Sequence, residues 1–414
     1  MLCWMETALG ARIRALREQA GMQSQELASR LGIDPSAMSN IERGRRSVKT
    51  GELMKIAEAL SVSPLALLDE DSLPARMPVA PRRDGQSSSI KGPAYSRLLA
   101  MSELHAVLSD AGIATPNNLR EAPQVDHGHW KTEADILARW ANGHLGVDCA
   151  GIERFTELAK AIEERLRVDV LVEKYPDDPL SGAAITDRAF PLIFVNSQHP
   201  TPRALFTLAH ELGHLLIGHN GSIAVDDNFV GDTPTERQAN AFAAEFLMPE
   251  NKVDEYIRRY DRGPESLARM IYDFDVSFES LVFRLHNLRK IDAAGRDRLR
   301  EVGWQGLLSV IERSDLQERL GPEISMRLIS RLGRHPADRP PIWLASRCFA
   351  GYRRGVISVR PLAGLFNVDP DFFLDRIQEH DEKSAEVLER VEEPPSDDQL
   401  SDDDDELFAG SPVS

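Results

Sequence analysis

Residues 203–219 restrict the fold more than any other segment, because they are apolar nearly all round a helix and still contain two histidines and a glutamate. A helix of that composition is buried in its protein. Buried imidazoles and carboxylates need partners, so His210, Glu211 and His214 are expected to share an internal site. The apolar positions are Leu205, Phe206, Leu208, Leu212, Leu215, Leu216 and Ile217.

The spacing H-E-x-x-H in this helix predicts a metal site. His210 and His214 lie one turn apart, about 6 Å along the axis, and both imidazoles can reach one Zn²⁺ at about 2.0–2.1 Å. Glu211 lies beside them and is expected to take a proton from the attacking water and pass it to the leaving amine. A chance motif on an exposed helix face is the alternative, and the apolar flanks argue against it.

A catalytic zinc site needs a third protein ligand. His219 is excluded while the helix continues, because it lies about 140° around the axis from His214. The metzincin class is excluded too, since it requires Gly at position 217 and His at position 220, where this chain has Ile217 and Asn220. The third ligand must therefore come from elsewhere in the chain.

A second apolar helix, predicted over residues 236–248, offers that ligand. Glu236 stands at its start, and Ala239 and Ala243 would allow it to pack closely against the first helix. Glu245 remains the rival carboxylate. We therefore favour Glu236 as the third ligand and keep Glu245 open.

These two segments together resemble a known family. Phe206-Thr207-Leu208-Ala209-His210-Glu211-Leu212-Gly213-His214, followed by Glu236-x-x-Ala239-Asn240-x-Phe242-Ala243-x-x-x-Leu247-Met248-Pro249, is similar to the ImmA/IrrE family of metallopeptidases. The resemblance covers about residues 95–290. It implies a zincin-like α+β domain with zinc ligands His210, His214 and Glu236, general base Glu211, and cleavage of a repressor-type transcription factor.

The N-terminal segment predicts a DNA-binding helix pair. Leu27, Ala28, Met38 and Ile41 are spaced to hold two short helices at a fixed angle, so that the second can enter the major groove. Asp34 and Pro35 are a cap and first-turn pair that starts this second helix. On it, Ser36, Ala37 and Asn40 are expected to face base edges, and Arg43, Arg45, Arg46 and Lys49 to meet phosphates.

Residues 21–44 also resemble the helix-turn-helix of the XRE (lambda-repressor-like) family, with Ser39 among the matching positions. The family pattern places a glutamine contact at the start of the first helix, and here that contact falls on Ser24 or on Gln25. A homodimer is expected through or near this domain, because one helix-turn-helix reads only a half-site. Loss of DNA binding, with the domain kept for docking a protein, is the alternative.

Charge and composition divide the chain further. The formal net charge of −17 would repel DNA if it were spread evenly, but the acidic residues concentrate in the last part of the chain. We predict a helix-turn-helix domain at 1–70, a Pro- and Ser-rich linker at 71–92, a peptidase domain at 93–290, a helical region of unknown role at 291–385 and an acidic, disordered tail at 386–414.

The predicted fold is mainly α with a small antiparallel sheet, whose strand signals lie at 168–172 and 192–195. The substrate cleft is expected between the metal-binding helix and the strand at 192–195, where a substrate could add as an extended strand. A cytoplasmic protein is expected, since there is no apolar run of about 18 residues, no signal peptide, and no disulfide pattern in three distant cysteines.

Two further functions stay open at this stage. The chain could be an antitoxin-like autoregulator whose peptidase-like half binds a toxin, since fusions of this type resemble chains that are paired with toxins. It could also be a metal-binding sensor without proteolysis, which the intact Glu211 argues against. The favoured function is a DNA-binding regulator with a zinc-dependent endopeptidase domain.

Overall fold

Contacts within the chain define two compact units, residues 1–356 and residues 357–414. Among the described residues, no helix has the length and hydropathy that crossing a bilayer requires. The boundaries proposed between domains stay predictions, and most of the linker and the acidic tail lie outside the described residues. The computed structural model describes residues 2–19, 22–60, 67, 92–125, 129–147, 153–176, 178, 180–218, 223–226, 233–260, 263–313, 315–330 and 333–379.

The N-terminal region is all-α, as predicted. It contains α1 (Leu2–Gln19), α2 (Ser24–Leu31), α3 (Pro35–Glu42) and α4 (Thr50–Leu60). Gly32 ends α2 in the left-handed conformation (φ 66°), which costs a glycine little. One apolar core holds the helices together, and its buried members include Ile13, Leu27, Met38, Ile41 and Ile56.

A buried ion pair fixes the end of α3 against α1. Arg17 Nε donates to Glu42 Oε1 at 2.5 Å, and Arg17 Nη1 donates to the carbonyl of Met22 at 2.7 Å. Gly10 lies where these helices meet, and a Cβ there would come within 2.3 Å of the carbonyl oxygen of Ile41. The second helix of the pair therefore has a fixed position on α1.

The segment before the sheet is helical and connects to it through a widened turn. A π-helical turn at Ile162–Leu166 follows the last helix, and Arg167 leaves it in the left-handed conformation. Its elements are α5 (Pro93–Asp110), a 3₁₀ turn (Leu119–Glu121), α6 (Trp130–Leu145) and α7 (Arg154–Ala161).

The sheet has four strands in the order β1-β3-β2-β4. These are β1 (Asp169–Glu173), β2 (Gly182–Ile185), β3 (Leu192–Asn196) and β4 (Ile223–Asp226). β1 and β3 are parallel, whereas β2 is antiparallel to both β3 and β4. The expectation of an antiparallel sheet was therefore wrong: the chain makes a hairpin from β2 to β3, and β3 then returns beside β1 in the same direction.

Helices follow the strands and complete the first unit. The long helix α13 changes direction at Gly303, whose φ is 64°. The elements are α8 (Thr201–Ile217), α9 (Pro234–Leu247), α10 (Glu250–Tyr260), α11 (Pro264–Phe274), α12 (Phe278–Asn287), α13 (Ala293–Arg313), α14 (Leu316–Leu320), α15 (Pro322–Ser330) and α16 (Ile342–Arg353).

A late segment of the chain, residues 334–344, covers the outer edge of β1. Val172 and Arg339 exchange both backbone hydrogen bonds, at 2.9 and 2.8 Å. The amide of Thr201, the first residue of α8, donates to the carbonyl of Arg334 at 2.9 Å. Because an open strand edge invites pairing with other chains, this covering segment protects the sheet and also fixes the start of α8.

The second unit contains α17 (Val359–Leu365) and a helix over residues 370–379, called α18 below. Leu362, Ala363 and Leu365 are buried on α17. Asp369 starts α18, because its carboxylate accepts hydrogen bonds from the amides of residues 371 and 372 at 2.9 and 3.2 Å.

Candidate metal centre

The helix α8 carries both predicted histidines within the core. It ends at Gly218, which adopts the left-handed conformation (φ 75°). His210, Glu211 and His214 are 0%, 1% and 2% exposed. His219 and Asn220 lie outside the described residues. The buried setting that the apolar flanks predicted is therefore present at all three polar positions.

The helix α9 places Glu236 in its first turn, opposite α8. The Thr233 hydroxyl caps this helix by accepting a hydrogen bond from the amide of Glu236 at 3.2 Å. The two helices approach closely at Gly213, where a Cβ would lie 2.9 Å from the Phe242 ring and 3.4 Å from the Cα of Ala239. This close approach brings the first turn of α9 level with the two histidines.

The donor atoms of three side chains converge between the two helices. His210 Nε2 and His214 Nε2 are 3.0 Å apart. Glu236 Oε2 lies 3.2 Å from His210 Nε2, and Glu236 Oε1 lies 3.5 Å from His214 Nε2. Among the described residues, this is the group of three or more His, Cys, Asp or Glu side chains that could hold a metal ion.

The donor set fits a zinc ion. Two imidazole nitrogens and one carboxylate oxygen are a known ligand combination of catalytic zinc. Tetrahedral coordination at about 2.0–2.1 Å would separate neighbouring donors by about 3.3 Å. The three separations in the structure, 3.0 to 3.5 Å, lie on both sides of that value.

The charge of Glu236 also suits a cation. Burial alone would raise the pKa of this carboxyl, but the imidazoles of His210 and His214 beside it outweigh burial and hold its pKa well below the usual range. Glu236 is therefore ionised at neutral pH and brings a negative charge to an otherwise apolar helix interface.

The rival carboxylate, Glu245, lies in a different environment. Its side chain forms an ion pair with Arg284, whose Nε also donates to the carbonyl of Met248 at 3.0 Å. These contacts fasten the end of α9 to α12. The geometry therefore favours Glu236 over Glu245 as the third ligand, and the assignment stays a prediction.

Asn240 also contributes to the site, although the sequence motif alone gave it no role. Its Oδ1 lies 3.0 Å from His210 Nδ1 and can accept a hydrogen bond from it. A histidine that donates from Nδ1 presents an unprotonated Nε2, the state that binds a metal. The available signal was the i, i+4 spacing from Glu236, which puts both side chains on one face of α9.

Glu211 lies against the sheet as well as beside the histidines. A Cβ at Gly182, the first residue of β2, would lie 3.2 Å from Glu211 Oε1 and 2.2 Å from Thr207 Cγ2. Only a glycine therefore allows β2 to come this close to α8. The predicted general base is placed between the histidine pair and the start of β2.

The residue before that glycine is held by a polar contact network. Arg203 Nη2 donates to Ser181 Oγ at 2.9 Å, and Ser181 Oγ lies 3.1 Å from His199 Nε2. Burial, together with the charges of Arg203 and His335, lowers the pKa of His199 to about 4. His199 is thus neutral at pH 7 and its Nε2 can accept a hydrogen bond from the Ser181 hydroxyl, which links β2 to the start of α8.

The predicted substrate edge was misplaced. The strand over 192–195 belongs to β3, which pairs with β1 on one side and with β2 on the other. It has no open edge on which an extended substrate could add. Among the described strands, β4 pairs with β2 alone, so the available edge lies at β4, where Asp226 is opposite Gly182.

The predicted DNA-contacting residues lie on α2, on α3 and in the turn after α3, and they differ in exposure. The half-buried positions are Ser24, Ala37 and Ser39. The exposed positions are Gln25, Ser36, Asn40, Arg43, Arg45 and Lys49.

Arg46 differs from its basic neighbours. Its Nη2 forms an ion pair with Glu52 Oε1 at 2.6 Å, and its side chain is 36% exposed. The second oxygen of Glu52 accepts a hydrogen bond from the amide of Lys49 at 3.1 Å. Arg46 therefore fastens the start of α4 in addition to any contact with phosphate.

Comparison with known proteins agrees with both halves of this description. The family described as "IrrE N-terminal-like domain" matches residues 163–286, and the family described as "Helix-turn-helix domain" matches residues 8–70. The chain joins a helix-turn-helix domain to an IrrE-like domain. The IrrE-like domain contains all four strands, β1 to β4, and the two helices α8 and α9 that carry His210, His214 and Glu236.

Three relatives extend the comparison. The IrrE-like domain is 34% identical over 99 residues to a radiation response metalloprotease IrrE of Deinococcus deserti, and the match covers 23% of this chain and 35% of that one. The helix-turn-helix domain is 35% identical over 66 residues to the HTH-type transcriptional regulator ImmR of Bacillus subtilis, and the match covers 16% of this chain and 52% of ImmR. It is also 33% identical over 64 residues to an uncharacterized HTH-type transcriptional regulator, y4dJ, of Sinorhizobium fredii, covering 16% and 83%.

The first of these matches is partial on both sides: the chain spans about a third of the IrrE relative. The helix-turn-helix match covers most of the y4dJ regulator, so through that domain this chain belongs to the helix-turn-helix family. The IrrE-like domain is similar to part of a protein named a metalloprotease, and the metal and the reaction are proposed below.

Proposed function

We propose that this protein is a DNA-binding transcriptional regulator whose IrrE-like domain is a zinc-dependent endopeptidase, acting on a repressor-type or partner regulatory protein. The observation that carries the proposal is the convergence of His210, His214 and Glu236 at 3.0 to 3.5 Å, with Glu211 beside them in the same helix. The similarity to a protein named a metalloprotease supports it.

Within this proposal, His210, His214 and Glu236 hold the metal, and Asn240 keeps His210 in the tautomer that binds it. A bound zinc ion would polarise the substrate carbonyl and lower the pKa of the attacking water. Glu211 accepts the proton of that water and transfers it to the nitrogen of the leaving amine. Because Glu211 is 1% exposed, this transfer takes place away from bulk solvent.

The substrate chain is expected to be extended. β4 is the described strand whose outer side is unpaired, and its Asp226 lies opposite Gly182, next to Glu211. A peptide that pairs with β4 by backbone hydrogen bonds would run past the metal cluster without requiring any particular side chain. A flexible segment of a regulatory protein suits this mode, because it can become extended without unfolding a domain.

The DNA arm of the proposal rests on α3 and the turn after it. Asn40 is exposed on the second helix of the pair, and Arg43, Arg45 and Lys49 are exposed after it. We expect Asn40 to read a base edge and the three basic residues to meet phosphates. Two copies of the domain would read the two halves of an operator.

Glu211→Gln tests the enzymatic part. The side chain is nearly isosteric but cannot take up the proton, so cleavage of an unfolded peptide library, read by mass spectrometry, should fall by about 10²–10⁴-fold while zinc content is kept. Glu255→Gln, at an exposed position on α10, is the control and should cleave as the wild type does. Undiminished zinc-dependent cleavage by Glu211→Gln would remove Glu211 from the mechanism.

A further inference from the structure

The second unit repeats the sequence pattern of the N-terminal helix pair. Leu27 corresponds to Leu362, a separation of 335 residues, and the same separation holds along the motif without an insertion. The two patterns are Leu27-Ala28-x-x-Leu31-x-Ile33-Asp34-Pro35 and Leu362-Ala363-x-x-Phe366-x-Val368-Asp369-Pro370.

The backbone repeats with the sequence. At the turn between the helices, Gly32 (φ 66°) and Asn367 (φ 54°) correspond, and both are in the left-handed conformation that glycine and asparagine tolerate best. Three backbone hydrogen bonds around the turn also correspond. Ile33 N donates to Ala28 O at 3.0 Å, as Val368 N does to Ala363 O at 3.2 Å, and Gly32 N donates to Ser29 O at 3.2 Å, as Asn367 N does to Gly364 O at 3.3 Å. At the start of the second helix, Met38 N donates to Asp34 O at 3.1 Å, as Phe373 N does to Asp369 O at 3.0 Å.

The buried positions match on the first helix of each pair, whereas on the second helix the buried Met38 and Ile41 correspond to the half-buried Phe373 and the exposed Arg376. Leu27 and Ala28 are fully buried on α2, and Leu362 and Ala363, at the corresponding positions on α17, are 1% and 0% exposed. Residues 358–379 are therefore a second helix-turn-helix by sequence, turn geometry and burial of the first helix. We call this segment the C-terminal helix-turn-helix.

The charge of the second helix is reversed between the two copies. Residues 35–49, which include α3 and the turn after it, contain four basic residues and one acidic residue, a formal charge of +3. The corresponding residues 370–384 contain two basic and five acidic residues, a formal charge of −3. A helix with that charge is repelled by DNA phosphates.

The reversal extends to the positions that would face the groove. The second copy presents two carboxylates and an aromatic ring there, all exposed, and the ring of Phe372 is 56% exposed. The basic residue on this helix, Arg376, forms an ion pair with Glu379 at 3.1 Å, which reduces the attraction of its positive charge for phosphates. The corresponding pairs are Ser36 and Asp371, Ala37 and Phe372, and Asn40 and Asp375.

We propose that the C-terminal helix-turn-helix binds the basic, DNA-contacting face of the N-terminal helix-turn-helix in a second copy of this chain, and so competes with DNA. Charge complementarity selects this occupant: Asp371 and Asp375 would meet the exposed Arg43, Arg45 and Lys49. The proposal rests on the DNA binding proposed for the N-terminal domain, but it does not depend on proteolysis.

Phe372 gives this docking surface a centre. Its exposed ring lies between Asp371 and Asp375 in sequence, and the Arg376 guanidinium carbon lies 5.8 Å from the ring centre. An exposed aromatic ring among charged side chains has the composition of a protein-binding anchor with a charged rim. When it packs against another chain, the carboxylates would steer the encounter and set its orientation. The same helix would thus bind a basic protein surface and reject the nucleic acid that this surface also binds.

Photochemical cross-linking of the full chain, without DNA, tests the contact directly. Phe372→p-benzoylphenylalanine in an equal mixture of ¹⁴N- and ¹⁵N-labelled chains should give cross-links between differently labelled chains, at residues 36–49. Phe283→p-benzoylphenylalanine, on α12 and 39% exposed, is the matched control and should give none at those residues. Cross-links only within one chain, or only to other segments, would overturn the proposal.

DNA affinity gives the second measurement, by fluorescence anisotropy with a random-sequence duplex and the full chain. If the competing state holds two thirds of the chains, Asp371→Asn with Asp375→Asn should raise the apparent affinity about threefold. Glu301→Gln with Glu312→Gln, at exposed positions on α13, changes the net charge by the same amount but should raise the apparent DNA affinity much less. Equal gains in both double variants would show a general charge effect and contradict the proposal.

Two other outcomes are informative. Cross-linking of residue 372 to the duplex itself would show that this helix binds DNA, against the proposal. If no variant binds DNA at low salt, the proposed function of the N-terminal domain fails, while the cross-link in the absence of DNA still decides whether the two helix-turn-helix segments meet.

Discussion

The candidate metal site between α8 and α9 and the N-terminal helix-turn-helix use polar side chains in opposite ways. His210, Glu211 and His214 are at most 2% exposed and lie between closely packed helices. Asn40 and Arg45 are exposed on a helix whose apolar side alone is packed. A buried polar cluster is stable only when every member has its partner, whereas exposed contacts contribute separately. We therefore expect all-or-none changes in the first region and graded changes in the second.

The largest effect is expected from removal of a metal ligand. His214→Ala should abolish stoichiometric zinc in elemental analysis, because two remaining donors cannot hold a catalytic zinc site. Glu245→Ala, which removes the carboxylate paired with Arg284, should keep the metal. If Glu236→Ala keeps zinc and Glu245→Ala loses it, the third ligand is Glu245 and the helix geometry has been misread.

Next in size is the helix approach that creates the cluster. Gly213→Ala places a Cβ 2.9 Å from the Phe242 ring and should cost about 1–3 kcal/mol of unfolding free energy by overpacking. Gly143→Ala is the control, since a Cβ there has open space in α6, and it should stabilise by about 0.5–1 kcal/mol. Urea unfolding of both variants checks this, and equal effects would show that the helices can separate freely.

A smaller effect should appear with pH through His199, whose pKa falls from about 6.5 in the unfolded chain to about 4 in the folded one. The stabilisation is complete above pH 6.5 and is lost as pH falls toward 4, because only the unfolded chain takes up the proton. Allowing for solvent screening, the free energy of unfolding should fall by about 1–2 kcal/mol over this pH range. His199→Gln should flatten the pH dependence of unfolding over this range, and an unchanged slope would contradict it.

The smallest effect concerns individual phosphate contacts. Arg45→Ala should flatten the dependence of DNA affinity on salt by about one unit, because one phosphate contact is lost. Arg46→Ala should flatten it less, since this residue is already paired with Glu52, and it should also lower the stability of the domain slightly. Titration of each variant with DNA at several salt concentrations measures both slopes. Identical slopes for Arg45→Ala and Arg46→Ala would show that the ion pair with Glu52 does not weaken the phosphate contact of Arg46.

The buried region was also the easier one to predict. The H-E-x-x-H spacing and the alanines on the second helix led to His210, His214 and Glu236, and the structure brings their donor atoms together. Their role as ligands stays a prediction. The motif is informative because helical spacing alone fixes which side chains face one another.

The sheet was harder to predict. Gly182-Ala183-Ala184-Ile185 lacks the alternation of a half-buried strand, since all four residues are buried, so β2 gave no signal and β3 was mistaken for an edge. Pairing also depends on residues far apart in sequence, as between Val172 and Arg339. The ion pair between Arg46 and Glu52 was missed because a run of basic residues does not show which of them has an acidic partner in space.

The segment that covers β1 has a consequence for synthesis of the chain. Asp169 in β1 accepts a hydrogen bond from Trp343, 174 residues later, and a ribosome needs about 10–35 s to add that many residues. Until then, the edge of β1 is open and the first turn of α8 lacks the carbonyl of Arg334. A nascent chain therefore carries the whole metal-binding motif well before its support is complete. The proposed proteolysis should therefore appear only after synthesis has passed Trp343.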